Sequence, residues 1–227
     1  MYGFGIIGCG MISSFHAKAI AALPNAELRM VQSRSEANAQ RVAEENGCEW
    51  TTDLDAMLAR DDIDVITVCT PSGAHMEAVI ATAKAGKHVI VEKPLDISLE
   101  RIDAMVEACD EAGVQLGGVF QSRFHETSAL IRDALASGRF GKLTLAEATV
   151  KWWRDQAYYD DGGWKGTQAL DGGGALMNQS IHAIDLIQWL LGPISEIAAF
   201  KATLAHERID VEDTAVACVR FDNGCLG

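Results

Sequence analysis

An apolar run, Tyr2 to Ile7, leads directly into Gly8-Cys9-Gly10-Met11-Ile12-Ser13, and apolar residues then recur at Ile12, Phe15, Ala19, Ala22 and Leu23 until Pro24. The run reads as a strand and the recurrence as one face of a helix that proline stops. A strand that re-enters a helix through Gly-x-Gly is a ready-made anion cradle. The glycines permit a tight turn and let a pyrophosphate approach the backbone. The helix N-terminus adds N–H groups and the positive end of a dipole. Ser13 stands where a third glycine would, at a position that needs only a small side chain.

The same alternation continues down the chain. Strands are expected at Leu28 to Gln32, Val65 to Thr70, His88 to Glu92 and Gln115 to Phe120. Helices are expected at Ala37 to Asn46 (closed by Gly47), from Asp53 as a cap through Arg60, at Ala74 to Ala85 (closed by Gly86), and from the Ser98 cap to Ala112. Alternating strand and helix with short connections predict a parallel sheet covered on both faces. After about Phe124 the pattern changes. A helix around Thr127 to Ser137, a strand-like run from Leu143 to Trp153 and a glycine- and aromatic-rich stretch, Tyr158 to Gly174, precede a helix at Ala175 to Leu191 that Gly192 and Pro193 end. Strand-like runs follow at Ile194 to Thr203 and Thr214 to Phe221. The expected fold is α/β: a doubly wound parallel sheet in residues 1–122, then an α+β domain with an open, mostly antiparallel sheet in residues 123–227. Asp222-Asn223-Gly224 is a hairpin turn signal, yet only three residues follow it. The returning strand is therefore expected to be absent, and the chain is read as cut short at its C-terminal end.

A formal net charge of −13 disfavours nucleic acid, whose phosphates call for clustered Lys and Arg. No apolar run approaches membrane-span length, and no leader-like segment opens the sequence. The six cysteines form no C-x-x-C pair, which suits reduced thiols, a cytoplasmic setting and no metal site.

Three strand tips carry candidate chemistry. The second strand ends Gln32-Ser33-Arg34, without the carboxylate that would hold the ribose hydroxyls of NAD. Ser33 can donate to a 2′-phosphate, and Arg34 can pair with it or stack on adenine, which leans towards NADP(H). Thr70-Pro71-Ser72-Gly73-Ala74-His75 follows a strand on the edge where such sheets bind ligands; Ser72 can bond a ribose or simply cap a helix. Glu92-Lys93-Pro94 ends the next strand, with an ammonium close to where a nicotinamide is expected.

Taken in order, G-I-I-G-C-G-M-I, T-P-S-G-A-H, E-K-P and the later G-G-G-A-L-M-N-Q-S-I-H-A-I-D resemble the Gfo/Idh/MocA oxidoreductases. The resemblance spans essentially the whole chain. It implies a Rossmann domain, then a domain built on an open antiparallel sheet. It also implies hydride transfer between NAD(P) and a carbinol or carbonyl carbon of a sugar, cyclitol or related polyol, in a homo-oligomer formed through the second-domain sheet. Gly8, Gly10, Met11, Ile12, Ser33, Arg34, Thr70, Pro71, Ser72, His75, Glu92 and Lys93 become the expected cofactor contacts. Lys93 and His182 become the expected catalytic residues, and Trp164, Lys165 and Asn178 join them as expected substrate contacts. Asn178 and His182 are four apart, so a helix would show both on one face. Histidine titrates in the range useful to a carbinol base. In the family the residue four before this histidine is often Asp; an amide there orients a hydroxyl but takes no proton. Aromatics among Trp152, Trp153, Tyr158, Tyr159 and Trp164 suit stacking on sugar faces, and the glycine-rich segment from Gly162 to Gly166 suits a loop over the site. Two rivals are an NAD-dependent glycosidase working through transient oxidation and a cofactor-binding sensor subunit without chemistry.

Overall fold

The computed structural model describes residues 1–160 and 163–227. The chain divides into two compact units, Met1–Val119 and Phe120–Gly227.

In the first unit, β1 (Tyr2–Ile7), β2 (Ala26–Gln32), β3 (Glu49–Thr51), β4 (Val65–Val68), β5 (His88–Val91) and β6 (Leu116–Gly118) form one parallel sheet in the order β3-β2-β1-β4-β5-β6. Helices α1 (Ser13–Ala21), α2 (Glu36–Asn46), α3 (Leu54–Leu58), α4 (His75–Lys84) and α5 (Leu99–Ala112) connect the strands. Strand side chains alternate between faces, so β1 feeds two cores. Phe4 and Ile6 pack with Ala17, Ile20, Ala39 and Val42 of α1 and α2. Ile7 packs with Met57, Val79 and Met105 of α3, α4 and α5. The caps follow the residue types. Ser35 and Ser98 accept N–H bonds from Asn38 and Arg101 at the starts of α2 and α5, and Gly47 and Gly113 close the same helices in the left-handed region.

β2 starts two residues earlier than expected, β4 and β5 end two residues and one residue earlier, and β3 and β6 also differ from expectation. β3 is only three residues long, too short to show a period. The run predicted to reach Phe120 ends at Gly118, because the chain turns into a 3₁₀ segment at Gln121–Phe124.

The second unit holds α6 (Glu126–Ala136), α7 (Gln156–Asp160), a π-helical turn (Ala175–Ser180) running into α8 (Ile181–Leu191), and an antiparallel pair, β7 (Ile194–Ala202) and β8 (Thr214–Phe221). The strand expected from Leu143 to Trp153 does not form. Among the described residues its only ladder contact is a bridge at Leu145 with Leu226, and most of the segment is exposed. A β-prone sequence needs a partner and a surface to cover before it becomes a strand. The turn at Asp222-Asn223-Gly224 forms and brings the last residues back against β8, and among the described residues no further strand follows β8. Phe221 N–H donates to Cys225 O at 2.9 Å, and Val219 and Gly227 exchange both backbone bonds at 2.8 and 2.9 Å.

Candidate active site

Parallel register brings the first unit's candidate residues to one edge. Ile7 pairs with Gln32 and with Val68, and Val68 with Val91. The residues that follow, Gly8, Ser33, Cys69 and Glu92, therefore stand in a row beyond the carboxyl ends of the strands. The strand order reverses between β1 and β4, which is where sheets of this kind open a crevice.

The Gly-x-Gly turn fits a phosphate-bearing ligand. Gly8 has φ +95°, and a Cβ there would meet the Cys69 backbone at 2.7 Å. A Cβ on Gly10 would meet nothing within 4 Å, so the space above it is open. Ser13 is fully buried and donates to Gly10 O at 2.6 Å. Met11 is 77% exposed. At the β2 tip, Ser33 Oγ accepts from Ser35 N–H at 3.1 Å, which leaves its own hydroxyl proton to donate, and Arg34 is exposed.

Three expected cofactor contacts, His75, Glu92 and Ser72, have buried side chains. His75 is 1% exposed. Its Nδ1 lies 3.0 Å from both Pro94 O and Leu95 O, and its Nε2 3.0 Å from Thr70 O. It offers a ligand no free edge and instead straps the loop after β4 to the loop after β5. Desolvation holds it below the ordinary histidine pKa, despite three carbonyls that favour the cation. Glu92 is also buried: Oε1 meets His16 Nε2 at 2.9 Å and Oε2 accepts from Lys93 N–H at 3.0 Å. Burial raises its pKa, but these donors outweigh burial and leave the carboxyl below its usual range. Ser72 is likewise buried, while Thr70, Pro71 and Lys93 stay half-buried at the edge.

Sequence reasoning missed the frame around Lys93. Asp96, 1% exposed, accepts from Met76 N–H at the start of α4 and from Arg101 Nε. Arg101 reaches on to Gly73 O at 3.1 Å. The Lys93 loop is thus tied to α1 by Glu92 and to α4 and α5 by His75, Asp96 and Arg101. Apart from Asp96–Arg101, the pairs that tie this loop to the helices are 19 to 76 residues apart, a spacing that sequence does not display.

In the second unit the glycine run is a packing device. A Cβ on Gly174 would lie 1.9 Å from Glu212 O. The Glu212 carboxylate accepts from Gly174 and Leu176 N–H at 3.2 and 3.0 Å, capping the helix that carries Asn178 and His182. That helix begins as a π turn, a form found often at functional sites. Asn178 sits in the turn and His182 in the first turn of α8, so the simple four-residue spacing crosses a change of pitch. Further along, Asp185 pairs with Arg123, and Trp189 lies under Arg132 at 4.0 Å.

Asn178 Nδ2 donates to Asp171, whose Oδ2 accepts from Gly166 N–H at 2.8 Å. Lys165 Nζ lies 4.1 Å over the Tyr158 ring, and Trp164 is half-buried. Gly162, part of the expected covering loop, lies outside the described residues. A cleft of about 300 Å³ is lined by residues including Trp152, Trp153, Arg154, Gln179 and His206. In its wall, His206 Nδ1 meets Asp213 Oδ2 at 3.0 Å, and Nε2 meets Arg154 O at 2.7 Å.

A parallel sheet with a glycine cradle after its first strand defines a nucleotide-binding fold class, followed here by a second unit whose helix bears Asn178 and His182. The family model for the oxidoreductase family with NAD-binding Rossmann fold matches residues 2–119, and that for the GFO/IDH/MocA C-terminal domain matches residues 129–227. The chain belongs to the GFO/IDH/MocA family, and its first unit has that NAD-binding Rossmann fold. The WlbA dehydrogenase from Bordetella pertussis, solved with NADH and UDP-GlcNAcA, is 41% identical with a TM-score of 0.95, over 100% of this chain and 65% of that one. The Chromobacterium violaceum WlbA, with the same two ligands, is 38% identical with a TM-score of 0.94, over 100% of this chain and 65% of that one. Myo-inositol 2-dehydrogenase of Thermotoga maritima is 32% identical over 98% of this chain and 66% of the relative. The chain thus spans just under two thirds of the length of these relatives.

Proposed function

We propose that the protein transfers a hydride between NAD(P), bound by the first unit, and a carbinol or carbonyl carbon of a sugar, cyclitol or related polyol bound by the second. The observation that carries this reading is the edge row of Gly8, Ser33, Cys69 and Glu92 with Lys93 braced beside it, in a chain of this family. When bound, the nicotinamide accepts or gives the hydride. Gly8, Gly10 and the start of α1 would hold the pyrophosphate, with Met11, Ile12, Thr70 and Pro71 as neighbouring contacts. Lys93 and His182 hold or move the carbinol proton. Asn178, Trp164 and Lys165 orient the substrate. The test is a steady-state assay of nicotinamide reduction over a panel of polyols and sugar nucleotides with both cofactors; no turnover with any of them overturns the reading.

Within the class, a UDP-linked sugar acid is the favoured substrate. Two chains of 41% and 38% identity were solved with UDP-GlcNAcA, against 32% for the inositol enzyme. The cofactor preference proposed is NADP(H), supported by the absence of a carboxylate at the β2 tip. NAD(H) is the second reading, favoured by the NADH in those two similar structures. Phe200 and Val216, opposite one another on β7 and β8 and 82% and 64% exposed, support a homo-oligomer through the second-unit sheet, which sedimentation over a dilution series tests.

A further inference from the structure

We infer that Asp171 is a positioning residue for the proposed reaction, fixing the Asn178 amide that meets the substrate hydroxyl. The inference rests on the function proposed above.

Asp171 is 1% exposed and lies in the loop before the glycine run. One carboxylate oxygen accepts from Gly166 N–H at 2.8 Å, and the other from Asn178 Nδ2. A carboxylate that accepts these bonds can receive only the NH₂ end of an amide. On its other side, Asn178 Oδ1 accepts from Gln179 Nε2 at 3.0 Å. Gln179 is itself set by Arg154, which donates to its Oε1 at 2.9 Å. The Asn178 amide therefore has one orientation, nitrogen towards Asp171 and oxygen towards Gln179. An amide held this way keeps one orientation, where an unrestrained one would turn.

The pairing also explains why an amide suits position 178. A carboxylate there would stand one hydrogen bond from that of Asp171, and two carboxylates at that distance cannot both ionise. The carboxylate and the amide are complementary in either order. An amide at 171 would accept from Gly166 N–H through its oxygen and donate to a carboxylate at 178 through its nitrogen.

The test uses the full chain as wild type, Asp171→Asn, Asn178→Asp and the double swap. It measures kcat and KM for UDP-GlcNAcA and for myo-inositol with NAD⁺, the pH profile of kcat/KM, NADH affinity, and urea unfolding. Each single variant should lose about tenfold or more in kcat/KM, and the swap should recover to within about threefold of wild type. Asn178→Asp alone should gain an extra acidic limb in its pH profile as the carboxylate pair takes up a proton, and the swap should lose that limb. NADH affinity should stay within about twofold throughout. Wild-type kinetics in Asp171→Asn, or a swap no better than the two losses combined, overturns the inference. If even the wild type turns over neither substrate, the proposed function fails for them. The unfolding cycle then decides the pairing: coupling of about tenfold between positions 171 and 178 supports it, and additive effects overturn it.

Discussion

Nε2 of His16 lies 2.9 Å from Oε1 of Glu92, and each side chain is only 11% exposed. One residue sits in the first turns of α1, behind the glycine cradle, and the other is the immediate neighbour of Lys93. Replacing His16 by Ala should leave a buried carboxylate without one of its donors, at a cost of about 1.5–3 kcal/mol. Urea denaturation of His16→Ala beside His16→Gln measures this, and the glutamine should recover much of the loss. Because the Glu92 pKa is lowered on folding, its contribution is present above the ordinary glutamate pKa and lost as pH falls through the lowered value. Acid titration of the melting temperature should show a shallower fall in His16→Ala.

His206 should respond to pH in the opposite direction. Both ring nitrogens face acceptors, the Asp213 carboxylate and the Arg154 carbonyl, so the geometry asks for the imidazolium. Burial opposes that charge, and the two acceptors outweigh it, raising the pKa. Asp155 adds to the raising, and the rings of Trp153 and Tyr159 pack beside it at 5.2 and 4.8 Å. Asp213 is pushed well below the carboxylate range: burial raises it, but the Leu204 and Ala205 N–H groups, His206 and Thr214 prevail. The stabilisation from His206 should be complete below about pH 6.5 and fade as pH rises through the raised value. Unfolding of wild type and His206→Gln between mildly acidic and alkaline pH checks it; the gap should close at the alkaline end.

NADPH should bind more tightly than NADH, because the β2 tip offers a donor from Ser33 and the cation of Arg34 and no carboxylate to repel a 2′-phosphate. Fluorescence titration with each cofactor measures the ratio. Ser33→Asp should reverse the preference, and a wild type that prefers NADH would sink the claim.

Lys93→Met and His182→Ala should each lower turnover by roughly 10² or more, the usual scale for positioned acid–base groups. Cofactor affinity should move far less, since the cradle is built of glycine backbone. Near-normal turnover in both variants would refute the roles.

Most of the first unit was legible because its signals are local. Period, Gly and Ser caps and the strand–Gly-x-Gly–helix turn all lie within a few residues of one another. What stayed hidden depends on distant partners. Seventy-six residues separate His16 from Glu92, and 38 separate Gly174 from Glu212. His75 and Glu92 were read as cofactor contacts, and their side chains are buried against protein groups; a motif places a residue without saying which way its side chain faces. Leu143 to Trp153 shows the converse: it has strand composition without the pairing that composition presupposes. The Asn178 amide was read as orienting a hydroxyl without taking a proton, and its own partner went unseen, because Asp171 lies on the far side of a glycine run that periodicity cannot cross.

The Glu212 cap also sets an order in time. During synthesis a domain can form once its own residues have emerged, and every strand of the first unit is complete by Val119. The helix bearing Asn178 and His182 emerges later, and its first N–H groups must wait for Glu212 to close them. On the ribosome, the parallel sheet and its glycine turn can be folded for the seconds in which the helix bearing Asn178 and His182 is still without its cap. The first turn of that helix is therefore set only when all but the last residues of the second unit have been made.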